Sequence, residues 1–319
     1  MLRDRMGGFA MRTWTLAAAV LASAAAQQMT PQQAAIVARD PPAAPQHLRL
    51  VDRPRPAGPA RALFNGRDLT GWEPWLGYAD TSLTFRPQTA PGTAPPLGTS
   101  VDTSEIFTVA NVDGAPAIRA GGRYWGSLAY VGDLADFHLS LDYKWGPARA
   151  GEVRNNGVVY ASHGAPGGVF GTWMAGMEFQ LQHGSNGMAI PMGNRVRAHV
   201  TIAQDRSIAY PYRRFRLGGR DIDLANGNPA YSVEAANDAE RPVGAWNHLD
   251  LYMVGNHSIH VVNGVPVMEL RDLGELDPAG RRVPLTHGRI QLQSEGAITW
   301  FRNIRVEPIR TLPRVVLAR

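Results

Sequence analysis

Five consecutive residues, Glu178-Phe179-Gln180-Leu181-Gln182, have the types and spacing to do chemistry. In an extended strand, side chains alternate between the two faces. Glu178, Gln180 and Gln182 would then share one face, with Phe179 and Leu181 directed into a core. Retaining sugar hydrolysis needs two carboxylates roughly 5 Å apart, one as nucleophile and one as acid/base. This strand offers one carboxylate and two amides. An amide can bind a hydroxyl, but it can neither attack a sugar carbon nor relay a proton. The pattern points away from ordinary retaining hydrolysis.

Other residues could join such a site. Gln291, Gln293 and Glu295 share one face by alternation, so Glu295 is a candidate second acid at the end of the same groove. Lys144 is the single lysine among 32 basic residues, and it falls on the polar face of an alternating strand. It could do what a guanidinium cannot, such as lose its proton and act as a base if desolvated. His163, His183 and His199 carry side chains that titrate near neutrality. His163 is a candidate acid/base. Glu178, His183 and His199 are the candidate ligands for a divalent metal ion, although their spacing is not that of a tight ligand set. Arg154 and Arg302 could hold hydroxyls or an oxyanion, Arg302 more readily a structural residue of the last strand. Trp125, Trp173 and Trp300 could stack on sugar rings, though most tryptophans of a sandwich belong to its core.

The elements that would position these residues are strands. Phe137 to Trp145 alternates apolar and polar residues, as do Met177 to Gln182 and Arg289 to Ser294. Asn156 to Tyr160, Trp246 to Val254, His257 to Val262, Val265 to Leu270 and Ile298 to Val306 are further candidates. Asn263-Gly264 supplies a type I′ hairpin signal. Two stretches read as irregular, Arg86 to Asp102 and His183 to Val243. With 34 Gly and 24 Pro for turns, the pattern indicates an all-β fold of antiparallel sheets.

Bulk properties narrow the function. The 319 residues contain no cysteine, which excludes disulfides, a thiolate nucleophile and zinc–thiolate sites. The net charge of +5 comes from scattered arginines, without the basic run and interleaved aromatics of a nucleic-acid binder. No nucleotide-binding glycine fingerprint follows a strand. The first 26 residues read as an export signal: Arg3, Arg5 and Arg12 precede the apolar run Trp14 to Ala26, which ends in Ala24-Ala25-Ala26. An Ala/Pro-rich linker is expected over 27–60, one domain over 61–309 and a short tail over 310–319. The expected product is an exported, periplasmic protein without a membrane span.

Four segments, in order, resemble one family. Leu63-Phe64-Asn65-Gly66-Arg67-Asp68-Leu69-Thr70-Gly71-Trp72 is similar to the opening signature of the 3-keto-disaccharide hydrolase domain. Asn155-Asn156-Gly157-Val158-Val159-Tyr160 resembles its Asn-Ser-Gly strand, and Met177-Glu178-Phe179-Gln180-Leu181 its Tyr-Glu-x-Gln-Ile strand. Leu292-Gln293-Ser294-Glu295-Gly296, followed by Phe301-Arg302-Asn303-Ile304, resembles the closing pair. Ala161 stands where many members carry Arg or His, and His183 near where many carry Asp. The resemblance implies a concanavalin A-like jelly roll of two antiparallel sheets. It also implies elimination or hydration chemistry on 3-keto-glycosides, with a carbohydrate as substrate and a separate sugar 3-dehydrogenase to supply it. A ketone at C3 acidifies the C2 proton, so one base, one acid and hydroxyl-binding amides suffice. On this reading Glu178 is the base, with Lys144, His163 and Glu295 as the other catalytic candidates. Gln180, Gln182, Asn156, Tyr160, Arg154, Gln293 and Trp125 bind the sugar. The rival expectations are a non-catalytic glycan-binding module and an ordinary glycoside hydrolase.

Overall fold

A computed structural model describes residues 38–85, 94–121, 123–148, 151–208, 212–226 and 231–318, with residues 31, 34 and 35. The expected export signal, residues 86–93 of one expected loop, and Tyr210-Pro211 of the other lie outside the described residues. Among the described residues, no helix is long and apolar enough to cross a membrane.

The alternating segments pair into two large antiparallel sheets, and every strand expected from periodicity is present. The smaller sheet runs, in spatial order, Ala189–Met192, Ala175–Gln182, Asn155–His163, His287–Ser294, Gly126–Tyr130 and Trp72–Leu76, with Leu134–Ala135 at its side. The larger sheet is centred on Val265–Leu276, His257–Val262, Asn247–Val254, Phe137–Ala148 and Ala297–Pro308. Asn263 and Gly264 both adopt positive φ, 50° and 82°, as the expected hairpin requires.

Burial of alternate residues presses the sheets together. Val158 and Phe179 from the smaller sheet meet Leu139, Leu141, Leu249 and Leu251 from the larger. This is the concanavalin A-like jelly-roll sandwich. The Asn65–Trp72 signature serves the fold: Asn65 Oδ1 accepts from the Arg67 and Asp68 amides, Asp68 Oδ1 from Thr70, and Trp72 Nε1 donates to the Leu63 carbonyl at 2.8 Å. It closes a turn at the entry to the first strand of the smaller sheet.

The expected linker and one stretch expected to be irregular are corrected. Residues 38–60 are not a free linker. The Asp40 carboxylate is buried against Arg213 and Arg220, Gln46 bonds to Leu217 in both directions, and Leu48–Val51 pairs with Arg314–Leu317 of the expected tail. Among its described residues the stretch His183 to Val243 likewise contains four strands, Ala189–Met192, Val196–Gln204, Arg213–Phe215 and Arg220–Ala225. Three of these are short or carry Pro, but Val196–Gln204 is a nine-residue strand whose alternation is plain in the sequence, and sequence reasoning missed it.

Candidate active site

The register of the smaller sheet decides which residues can meet. Glu178 pairs with Val159 and Ile190, Gln180 with Gly157, and Gln182 with Asn155. Gln291 also faces Val159, and Gln293 faces Ser127 on the next strand. Cross-strand partners point to the same face. Glu178, Gln180, Asn155, Gln291 and Gln293 therefore gather on the face turned away from the sandwich core. Phe179 and Leu181 enter that core as expected.

The Asn155-Asn156-Gly157 motif builds the centre of this floor. Gly157 leaves a gap into which two side chains reach: a β-carbon there would collide with Glu178 Oε1 and Gln293 Oε1. Asn155 hydrogen bonds to the Glu295 carboxyl. Asn156 points the other way, into the core. Its Nδ2 donates to the Ala297 carbonyl and to Thr299 Oγ1, and its Oδ1 accepts from the Glu295 amide at 2.6 Å. Asn156 thus fixes the turn that carries Glu295 and cannot touch a sugar. With its amide oriented to satisfy its neighbours, Gln180 donates to Glu178 Oε1 and to the Asn156 carbonyl, each at 2.8 Å.

The result is a pair of dry carboxyls. Glu178 is 3% exposed and Glu295 8%. Burial drives the Glu178 pKa well above the usual carboxylate range, the charge of Glu295 adds to the rise, and a hydrogen bond from Gln293 opposes it. Burial also lifts Glu295 to about 7, against the Asn155 hydrogen bond and with help from Glu152. Among the described residues, no lysine, arginine or histidine forms an ion pair with either carboxyl. Burial thus strongly favours the protonated form of Glu178, while Glu295, lifted to about 7, is balanced between its two forms near neutral pH.

An aromatic wall flanks this floor. Trp173 and Val169 pack on Val159, with Trp125, Phe170 and Ile190 against them. The segment carrying Val169, Phe170 and Trp173 is fastened down by Gln291, which accepts from the Met174 amide and donates to Ser162 Oγ, and by Trp75 Nε1, which donates to the Gly171 carbonyl. Sequence reasoning named Trp125 and Trp173 but missed Phe170 and Phe85, which sit in loops without periodicity.

Several expected site residues lie elsewhere. Lys144 projects from the outer surface of the larger sheet, ion-paired to Asp113 at 2.9 Å, and Trp300 is its strand neighbour there. Arg302 lies on the same sheet, bonded to Asp142 and stacked 3.7 Å from the Trp246 ring centre. Tyr160 points into the core, where its hydroxyl meets Ser258 Oγ and His260 Nε2. Lys144 and Tyr160 are therefore not part of the floor: alternation gave the right faces, but only pairing shows which sheet a face belongs to. His163 is bound to Glu275 of the larger sheet at 3.1 Å. It follows Val159, the partner of Glu178, by four positions, roughly 13 Å along a strand. Ala161, at φ 48°, occupies a bulge between them and lies in the core. Gln182 stays at the edge of the floor, and Arg154 precedes the floor's central strand with its Nε buried and unpaired.

The proposed metal ligands do not converge. His183 bonds to Glu240 at 2.7 Å and His199, on the larger sheet, to Asp221 at 3.1 Å. Among the described residues no three His, Asp or Glu side chains form a ligand set. Glu178, His183 and His199 therefore do not fit a divalent ion together.

No curated protein matches the sequence. A candidate glycosyl hydrolase from Parabacteroides distasonis ATCC 8503 is 19% identical, over 78% of this chain and 98% of its own, with a TM-score of 0.41. A second from the same organism is 17% identical over 88% and 98%, TM-score 0.44. A Bacillus subtilis protein of unknown function with a galectin-like fold is 10% identical over 81% and 99%, TM-score 0.44. Likeness at this level says nothing about chemistry. The sequence family is closer: the model of the 3-keto-alpha-glucoside-1,2-lyase-like domain matches residues 59–307, which include the whole carboxyl floor and its aromatic wall, and the chain belongs to that family.

Proposed function

We propose that the protein cleaves 3-keto-glycosides by removing the proton at C2, with Glu295 as base and Glu178 as acid. The observation that carries this reading is the pair of buried carboxyls on one floor, with no cation paired to either among the described residues. A retaining hydrolase needs an ionised nucleophile. Here burial pushes both carboxyls toward their protonated forms, Glu178 well above the usual carboxylate range and Glu295 to about 7. Elimination asks for something different: a base whose pKa lies near the working pH, and an acid that is still protonated. The buried pair meets both requirements. The base role thus moves from Glu178, where sequence alone put it, to Glu295.

The electron flow balances without any other reagent. Glu295 takes the C2 proton, and the C2–H electrons form the enolate of the C3 ketone. The enolate then collapses to a 1,2-alkene as the C1–O bond breaks, and Glu178 gives its proton to the departing oxygen. The products are a 2-hydroxy-3-keto-glucal and the free aglycone. Addition of water across the new double bond runs the same proton transfers in reverse. Both N–H donors of Gln180 are taken by Glu178 and the Asn156 carbonyl, which leaves the Gln293 amide, its oxygen without a partner, to meet the sugar. Both carboxyls are nearly covered, so the cycle includes an opening step that admits the sugar.

Incubation of the purified protein with a 3-keto-glucoside and with its unoxidised parent tests the reading. Aglycone release and enone absorbance from the keto compound alone are expected. Release of sugar from the unoxidised parent at a comparable rate would replace elimination by ordinary hydrolysis. Tight binding of either compound without turnover would leave a glycan-binding module.

A further inference from the structure

The aromatic wall is larger than a sugar ring requires. Phe85 lies edge-on to Trp125 and to Phe170, with ring centres 5.7 and 5.3 Å apart. Trp173 stands 6.2 Å from Trp125 and 6.4 Å from Phe170. The wall begins beside the acid pair, because Val159 and Ile190, which pack into it, are the two strand partners of Glu178. It ends at Phe85, which is 60% exposed while Trp173 is 2% exposed. Phe85 is thus the solvent-facing end of a packed cluster of four aromatic rings that starts at the acid pair.

Polar and apolar groups are also segregated. A site for a second sugar interleaves aromatic faces with side chains that satisfy hydroxyls. Here the carboxyls and amides are confined to the floor. The wall offers hydrocarbon and two indole N–H groups, Trp125 Nε1 and Trp173 Nε1, both buried without a partner. Such a surface suits a flat ring with few polar atoms, which would cover Phe85 and add to its edge-to-face contacts.

We propose that the wall is the leaving-group subsite and that the group it takes is aromatic, an aryl or arylalkyl aglycone joined to C1 of the keto-sugar. This rests on the reading of the floor as a 3-keto-glycoside site. The reaction that supplies the substrate is then an oxidation of an aryl or arylalkyl glycoside at C3, with the aromatic alcohol released here.

The test compares 2-phenylethyl 3-keto-glucoside, ethyl 3-keto-glucoside and a 3-keto-disaccharide. The two alkoxides leave with nearly equal basicity, so a rate difference between them reports recognition and not leaving ability. The phenylethyl compound should show kcat/KM about tenfold above the ethyl compound, chiefly through KM, and should exceed the disaccharide. In Phe85→Ala, whose side chain is exposed and dispensable for folding, the phenylethyl-to-ethyl ratio should fall to within about twofold. Equal values for the two alkyl glycosides in the native protein, or a preference for the disaccharide, would overturn the aromatic subsite while leaving the floor chemistry standing. Failure to turn over any of the three would remove the floor reading and the subsite with it.

Discussion

Glu178 reaches across Gly157, so that its carboxyl occupies the space where a side chain at 157 would begin. Gln293 enters the same gap from the opposite strand. The glycine of the Asn-Asn-Gly motif is therefore a spacer for the site and not a turn residue. Gly157→Ala is expected to lower kcat on a 3-keto-glucoside by at least about tenfold, since a displacement near 1 Å disturbs proton transfer strongly. The strand itself accepts alanine, and the far-ultraviolet circular dichroism should not change. Activity at the native level would show that Glu178 need not lie over this residue.

The pH profile separates the two carboxyls. If Glu295 is the base, kcat/KM should rise through an apparent pKa near 7, the value to which burial lifts it. If Glu178 is the acid, the rate should fall again at higher pH, where burial finally yields and the proton is lost. Glu295→Gln should remove the rising limb and cost about 10²- to 10⁴-fold. Glu178→Gln should remove the falling limb. The opposite pairing of limb and variant would exchange the two roles.

The same pair burdens stability. Glu295 has a folded pKa of about 7 against an ordinary 4.5, so the folded state binds more protons in that interval. Stability is fully present below about pH 4.5, and it falls as pH rises to about 7. The shift corresponds to roughly 3 kcal/mol by linkage. Glu295→Gln, which removes the ionisation, should therefore melt higher than the native protein at pH 8 and differ little from it at pH 4.5. A variant that is inactive and less stable at pH 8 would mean that the carboxylate is not penalised there.

The strands are legible in the sequence because strict alternation over a handful of residues is the mark of a sheet buried on one face. The floor strand is legible because Glu178, Gln180 and Gln182 lie on one period. Which of two sheets a polar face belongs to is not. Lys144 and Glu178 both occupy polar faces, yet they stand on different sheets and are turned outward from opposite sides of the core. Asn156 and Tyr160 lie one place out of phase with the floor, which register makes plain and family motifs alone do not. The wall was only half visible, because Phe85 and Phe170 sit in loops, where no period links them to Trp125.

The outer surface of the larger sheet should affect stability without affecting turnover. His248 bonds to Asp142 at 2.8 Å and contacts Asp250 at 3.4 Å, and these bonds raise its pKa to about 10. Asp250 also holds His138, which stacks on Tyr252 with ring centres 4.2 Å apart. The stabilisation is complete below pH 6.5, and it is lost as pH rises through about 10. His248→Gln should lower the melting temperature at pH 6 and make little difference at pH 11, with kcat unchanged at pH 7. Lys144→Gln, on the same surface, should likewise leave kcat unchanged. A large loss of activity in either variant would place this surface in the reaction.

Asp40 tests whether the N-terminal arm belongs to the folded unit. Its carboxylate is wholly covered, between Arg213 at 3.4 Å and Arg220. Arg213 is itself buried, at the edge of the larger sheet. Removing one partner of a buried ion pair leaves the other charged and without solvent, at a cost of about 3–5 kcal/mol. Asp40→Ala should therefore lower the urea midpoint with the m-value unchanged, and removal of residues 1–47 should lower it by at least as much. Neither change touches the floor, so kcat under native conditions should survive both. A midpoint that does not move would return residues 38–60 to the role of a free tether, whereas loss of Asp40 alone matching loss of the whole arm would make this one carboxylate the point of attachment.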